Sequence, residues 1–183
     1  PLMHNYWFAR TGLQGCYVYL PLPPQRLEAA LRALPALNFA GCNLTIPHKV
    51  RAMEIVDEVD PIAATIGAIS CVSVDADGQL WGTNNDWRGF LGNLRQSVPE
   101  WRGDSGPACV IGAGGGARAI CHALLAEGAP EVRIANRTPA HAEKLAEIFG
   151  DRIVLVPWND RHDALSGATT LVNTTSLGKN ERP

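Results

Sequence analysis

In the stretch AGCNLTIPHKV, residues 40–50, the apolar Cys42, Leu44 and Ile46 alternate with Asn43 and Thr45. A period of two predicts a short strand with one apolar face. Pro47 then suits the first position of a helix. Lys49 falls in that helix's first turn, at the positive end of its dipole, where a cation is disfavoured. Around this stretch, GCYVYLPL (15–22) reads as a strand ended by prolines. Leu27, Ala30, Leu31 and Leu34 give residues 24–34 the spacing of a helix. Residues 57–68 read as a short helix closed by Gly67. Residues 69–83 read as a hairpin with Asp77-Gly78 at its turn, and 86–96 as a helix that carries two glycines.

The segment SVPEWRGDSGP (97–107) is rich in turn formers and poor in apolar residues. It divides the chain into residues 1–98 and 104–183. Beyond it, the buried runs ACVI, EVRIA, RIVLV and ATTLVN are separated by helical patterns at 116–128 and 138–150, and by a shorter one at 160–167. Strands alternating with helices imply parallel βαβ units. The fold class expected is α/β: a first α/β domain followed by a Rossmann-type, doubly wound parallel sheet.

Composition narrows the picture only a little. The 183 residues are 46% hydrophobic and 19% charged, with a net charge of −2, which is ordinary for a globular protein. That balance predicts no general affinity for nucleic acid or anionic membrane. No apolar run reaches the roughly 18 residues of a membrane span. Five dispersed cysteines without a CxxC pair argue for a reducing compartment, and the scattered histidines predict no metal site. A cytoplasmic location is expected from this; the sequence leaves monomer or homodimer open.

VIGAGGGARA (110–119) carries the strongest signal. Gly112, Gly114 and Ala117 fit the G-x-G-x-x-G/A form at a strand end that opens a helix. Gly112 permits the tight turn, Gly114 lets backbone approach a pyrophosphate, and Ala117 allows helix to pack closely on strand. The helix N-terminus adds free N–H groups for the anion. An acid about 20 residues further on would hold an NAD ribose. Here the next strand ends instead in Asn136, Arg137 and Thr138. A planar guanidinium and a hydroxyl suit a ribose 2′-phosphate, which favours NADP. The plainer alternatives are a glycine-rich turn with no ligand, a solvated Arg137 and Thr138 as a helix cap.

Asn84-Asn85-Asp86 follows the hairpin, with Asp86 set to start a helix, where an anion is stabilised. Taken singly, Asp86 can be a plain cap and Lys49 a solvated cation. Facing one cleft, they make a functional pair. The carboxylate offsets the dipole's penalty on the ammonium, and a protonated lysine can donate its proton to a carbonyl oxygen as hydride arrives at carbon.

PLMHN, NLTIPHK, GTNNDWRGF, GAGGGARA, NRT and NTTSLG occur in this order along nearly the whole chain. In this the sequence resembles the shikimate dehydrogenases. The resemblance implies an N-terminal substrate domain and an NADP-binding Rossmann domain with the active site between them. It implies reversible reduction of 3-dehydroshikimate to shikimate, in aromatic amino-acid precursor synthesis. Lys49 then resembles the catalytic lysine and Asp86 its partner, while Asn43, Thr45 and Ser70 fall at substrate-contacting positions. Gly112, Ala113, Gly114, Gly115, Gly116 and Ala117 resemble the pyrophosphate loop. Asn136, Arg137, Thr138 and His141 fall at the 2′-phosphate clamp, and Thr174 and Ser176 beside the nicotinamide.

The departures from the family pattern carry information too. Its GAVNT reads GAISC here, so Ser70 stands for a substrate-contacting asparagine and Cys71 for a threonine. A hydroxyl replaces an amide's donors and acceptor, which bears on substrate preference. His141 stands where an arginine is frequent, and Asn85 replaces the threonine of NTD. The family pattern also predicts further sequence at both ends: a serine pair before Pro1, and roughly 80 residues beyond Pro183 completing the Rossmann sheet. The alternatives are a relative acting on another cyclic hydroxy acid such as quinate, or an NADP-binding module with weak chemistry.

Overall fold

The computed structural model describes residues 1–177; Gly178, the last residue of NTTSLG, lies outside them. In chain order the helices are α1 (Leu2–Thr11), α2 (Leu27–Ala33), α3 (His48–Arg51), α4 (Pro61–Ile66), α5 (Asp86–Ser97), α6 (Gly115–Ala126) and α7 (Pro139–Phe149). The strands are β1 (Gly41–Asn43), β2 (Glu58–Val59), β3 (Cys71–Val74), β4 (Leu80–Thr83), β5 (Ala108–Ile111), β6 (Val132–Ala135), β7 (Ile153–Val156) and β8 (Thr170–Asn173).

Two four-stranded sheets form, with orders β1-β3-β4-β2 and β7-β6-β5-β8. In the first, β1 and β4 flank β3 antiparallel, and β2 runs parallel to β4. Its core gathers Leu27 and Leu31 of α2 with Ile55, Ile69, Val72 and Leu80. The second sheet is wholly parallel. On one face Val110, Val132 and Ile134 pack with Leu124 of α6 and Leu145 of α7. Arg133 points the other way and donates to the carbonyls of Ala164 and Ser166. The β7–β8 connection therefore crosses the opposite face, as a doubly wound sheet requires. The strand order changes direction between β5 and β8, and the crevice at such a point is where open α/β sheets bind ligands.

Five expectations are corrected. Residues 15–22 form no strand: Tyr17 uses its backbone on Asn5, whose Oδ1 accepts the Tyr17 amide while Nδ2 donates to its carbonyl. Residues 58–60 are extended rather than helical. Asp60, before Pro61, is held out of the helical region (φ −63°, ψ 150°), so the helix starts at the proline. Its carboxylate caps that helix by accepting the Ile62 and Ala63 amides, and Gly67 closes it at φ 70°. Residues 158–165 form two one-turn 3₁₀ pieces, because Ala164 is the one buried apolar residue among them and cannot anchor a longer helix. Alternation also ends at Leu44. The His48 amide donates to the Thr45 carbonyl, so the chain turns there and leaves Ile46 66% exposed. Pro47 precedes α3 rather than starting it.

Two other expectations hold. Asp77-Gly78 turns the β3–β4 hairpin, with Gly78 at φ 81° and the Asp75 carboxylate accepting the Asp77 and Gln79 amides. Gly89 and Gly92 do not break α5. Cys109 and Cys121 are buried, Cys42 and Cys71 partly so, and Cys16 is exposed. Burial pushes the Cys121 thiol up to about 12 and the Cys42 thiol to about 11.

Candidate active site

Lys49 and Asp86 meet. The Lys49 ammonium donates to Asp86 Oδ2, forming an ion pair whose side chains are 14% and 33% exposed. Each partner is set by its own backbone. The Lys49 carbonyl accepts the Ile69 amide at 2.9 Å, which ties α3 to the start of β3. Asp86 opens α5, and its amide donates to Oδ1 of Asn84 at 3.0 Å. Asn84 is buried, and its Nδ2 donates to the Ala68 carbonyl at 2.8 Å. That short-range turn is the kind asparagine makes two residues ahead. The turn lay within the Asn84-Asn85-Asp86 triplet, but the role of Asn84 in holding Asp86 was missed.

Of the other first-half candidates, Ser70 is tied to the residue before Asp86. Ser70 is buried; its Oγ accepts the Asn85 amide at 2.9 Å, and its carbonyl accepts the Leu44 amide. Serine in place of a longer amide thus fastens the α5 entry to β3. Asn43 and Thr45 are exposed, and Asn43 Oδ1 accepts the Tyr17 hydroxyl at 2.8 Å. Buried His48 donates from Nε2 to the Leu22 carbonyl at 3.0 Å, since a carbonyl oxygen can only accept. This anchors the residue before Lys49.

The glycine loop follows β5. Gly112 has φ 105°, and a Cβ there would stand 2.6 Å from Thr174 Oγ1 and 2.9 Å from Thr175 Cγ2. Only glycine fits. Thr174 itself donates to the Ile111 carbonyl through both its amide and its hydroxyl. The β8 loop therefore closes on the β5 loop, and Ser176 lies exposed just beyond. Gly114 precedes α6, and a Cβ at Gly114 or Gly116 would meet nothing within 4 Å. That is the open backbone a pyrophosphate needs. Ala113 and Ala117 are buried, Ala117 completely. Asn136 donates to the Thr138 carbonyl, and Arg137 and Thr138 are exposed at the start of α7. These residues fit a dinucleotide, with a free helix N-terminus, uncrowded glycines and an exposed guanidinium at the end of β6.

The two halves face each other across a cleft of about 470 Å³. Ile46, Pro47, Lys49 and Val50 line one side. Ala113, Gly114, Gly115, Arg118, His141 and Lys144 line the other. A Cβ at Gly115 would stand 3.2 Å from Lys49 Cβ. Arg118 reaches back to α4, where a Cβ at Gly67 would stand 2.5 Å from its Nη1; its burial lowers its affinity for the proton. Arg118 and Lys144 were not singled out from sequence, because only the packing of α6 and α7 brings them to this cleft.

The chain is similar to known proteins along nearly its whole length. A family model described as the shikimate dehydrogenase substrate binding domain matches residues 1–72. Another, described as shikimate / quinate 5-dehydrogenase, matches residues 96–180. The NADP(+) shikimate dehydrogenase of Paramagnetospirillum magneticum is 47% identical over 97% of this chain and 64% of its own length. That of Paracoccus denitrificans is 45% identical over the whole chain and 65% of its own length. The chain thus spans somewhat less than two thirds of these curated relatives. Among solved structures, shikimate dehydrogenase from Aquifex aeolicus aligns with a TM-score of 0.89 and 35% identity, over the whole chain and 66% of its own. The Thermus thermophilus enzyme, solved with NADP(H) and shikimate, aligns at 0.82 with 38% identity, over 97% of this chain and 64% of its own.

Proposed function

The chain belongs to the shikimate dehydrogenase family, and from that premise we propose that the whole protein reversibly reduces 3-dehydroshikimate to shikimate with NADPH. The Lys49–Asp86 ion pair beside the glycine loop is the observation that carries this reading. The substrate half is residues 1–98 and the cofactor half 104–183; among the described residues no strand pairing joins the two sheets, which supports the division. With the reading go a role in aromatic amino-acid precursor synthesis, a cytoplasmic location and a monomer or homodimer.

Bound NADPH supplies the hydride. Lys49, as an ammonium, donates a hydrogen bond to the carbonyl oxygen of the substrate and polarises it. As the carbon gains hydride, the oxygen gains the lysine's proton and becomes the hydroxyl. In the reverse direction Lys49 accepts that proton. Asp86 aims the ammonium and balances its charge when it is protonated. Asn43 and Thr45 present exposed polar groups near the substrate, and the Ser70 hydroxyl hydrogen is free to donate while its oxygen holds the Asn85 amide. When NADP is bound, Gly112 to Ala117 would cradle its pyrophosphate, and Asn136, Arg137, Thr138 and His141 would hold the 2′-phosphate. Thr174 and Ser176 would border its reacting end.

The test is NADP reduction by full-length protein with shikimate and with quinate, beside Lys49→Ala. Shikimate turnover that falls by roughly a thousandfold in the variant supports the reading. Failure to turn over either acid rejects it, and an unchanged rate in the variant rejects the role of Lys49. Turnover of quinate alone reassigns the substrate.

A further inference from the structure

We propose that Lys144 supplies the cation by which this protein distinguishes NADP from NAD. The inference rests on reading the cleft as an NADP site and goes beyond it by naming the discriminating charge. His141 lines the cleft, and its imidazole is a poorer partner for a phosphate dianion than a permanently charged group. Lys144 lies three residues further along α7. Residues three apart share a helix face, and both side chains line the cleft with Gly114 and Gly115.

The surroundings of Lys144 also favour an anion. Among the described residues, no aspartate or glutamate lines the cleft. Glu143 and Glu147 neighbour Lys144 on α7, yet no carboxylate among the described residues pairs with its ammonium. Arg118 adds a second, partly buried cation on the same wall. Helix α7 begins directly after Asn136, Arg137 and Thr138, so its first turns border the ribose end of the proposed site. NAD carries a hydroxyl where NADP carries the 2′-phosphate. A cation acting on that phosphate therefore alters NADP affinity alone.

The experiment is calorimetric titration of full-length protein, Lys144→Ala and Lys144→Arg with NADP and with NAD, each at low and moderate salt. Lys144→Ala should weaken NADP roughly tenfold or more, leave NAD unchanged and flatten the salt dependence of NADP binding. Lys144→Arg should restore NADP affinity. Equal melting temperatures of the three proteins show that folding is intact. An NADP-to-NAD affinity ratio unchanged in Lys144→Ala overturns the assignment while leaving the NADP reading standing. Equal affinities in the unaltered protein overturn the NADP reading itself, and the assignment with it.

Discussion

Gly115 lies against the aliphatic stem of Lys49: a Cβ at residue 115 would stand 3.2 Å from Lys49 Cβ and 3.5 Å from its Cδ. The first residue of the helix proposed to bind cofactor thus touches the residue proposed to move the proton. Such a contact fixes one half of the site against the other. It also gives a reason for glycine at 115 that the fingerprint alone does not, since the turn itself requires only Gly112.

Gly115→Ala tests this coupling. A methyl at 3.2 Å displaces Lys49 by a few tenths of an ångström. Alanine also favours the helix, by up to about 1 kcal/mol over glycine. Stability should hold or rise, while turnover falls roughly threefold to tenfold through misaim of the ammonium. Thermal melting and steady-state kinetics of the full-length variant read the two effects separately. Loss of activity that tracks loss of stability would rule out the positional role.

Much of the second sheet was legible because each of its strands is a short apolar run bounded by turn residues, and its order follows from right-handed βαβ connections. The Asp77-Gly78 hairpin was legible from two residues. What escaped was non-local. Residues 15–22 have strand composition, but Asn5, twelve positions away, takes the Tyr17 backbone. The strand Glu58–Val59 depends on Leu80 and Gly82, whose carbonyls accept the Asp57 and Asp60 amides. The same holds in the site. Lys49 and Asp86 could be paired through the order of their motifs, whereas Asn84, Arg118 and Lys144 acquire meaning only once α5, α6 and α7 are packed.

Asn84 separates support of the catalytic pair from the pair itself. Its amide group donates to Ala68 and accepts from Asp86, both inside the protein. Asn84→Ala leaves a carbonyl and an amide without partners, which costs about 1–3 kcal/mol for a buried group. Asn84→Asp keeps the acceptor for the Asp86 amide, loses the donor to Ala68 and adds a charge near Asp86. Both variants should lower kcat, with NADP affinity by calorimetry close to that of the parent. A variant with full kcat would show that Asp86 holds its place without Asn84.

Asp57 gives the fold an acid-side dependence away from the cleft. Its Oδ2 accepts the Leu80 amide and its Oδ1 accepts from Arg32, and these two bonds, the Leu80 amide first, hold its carboxyl below the ordinary carboxylate value. A carboxyl with a lower pKa folded than unfolded stabilises the fold above its unfolded pKa. That contribution fades as pH falls through the folded value. It is therefore intact at neutral pH and shrinks below about pH 4. Asp57→Asn, which has no charge to lose, should be less stable than the parent at pH 7, and the gap should narrow as pH drops below that point. Urea midpoints at pH 7, 5 and 3 measure the gap. A difference constant across all three would show that the stabilisation comes from hydrogen-bond shape alone and not from the ionised carboxylate.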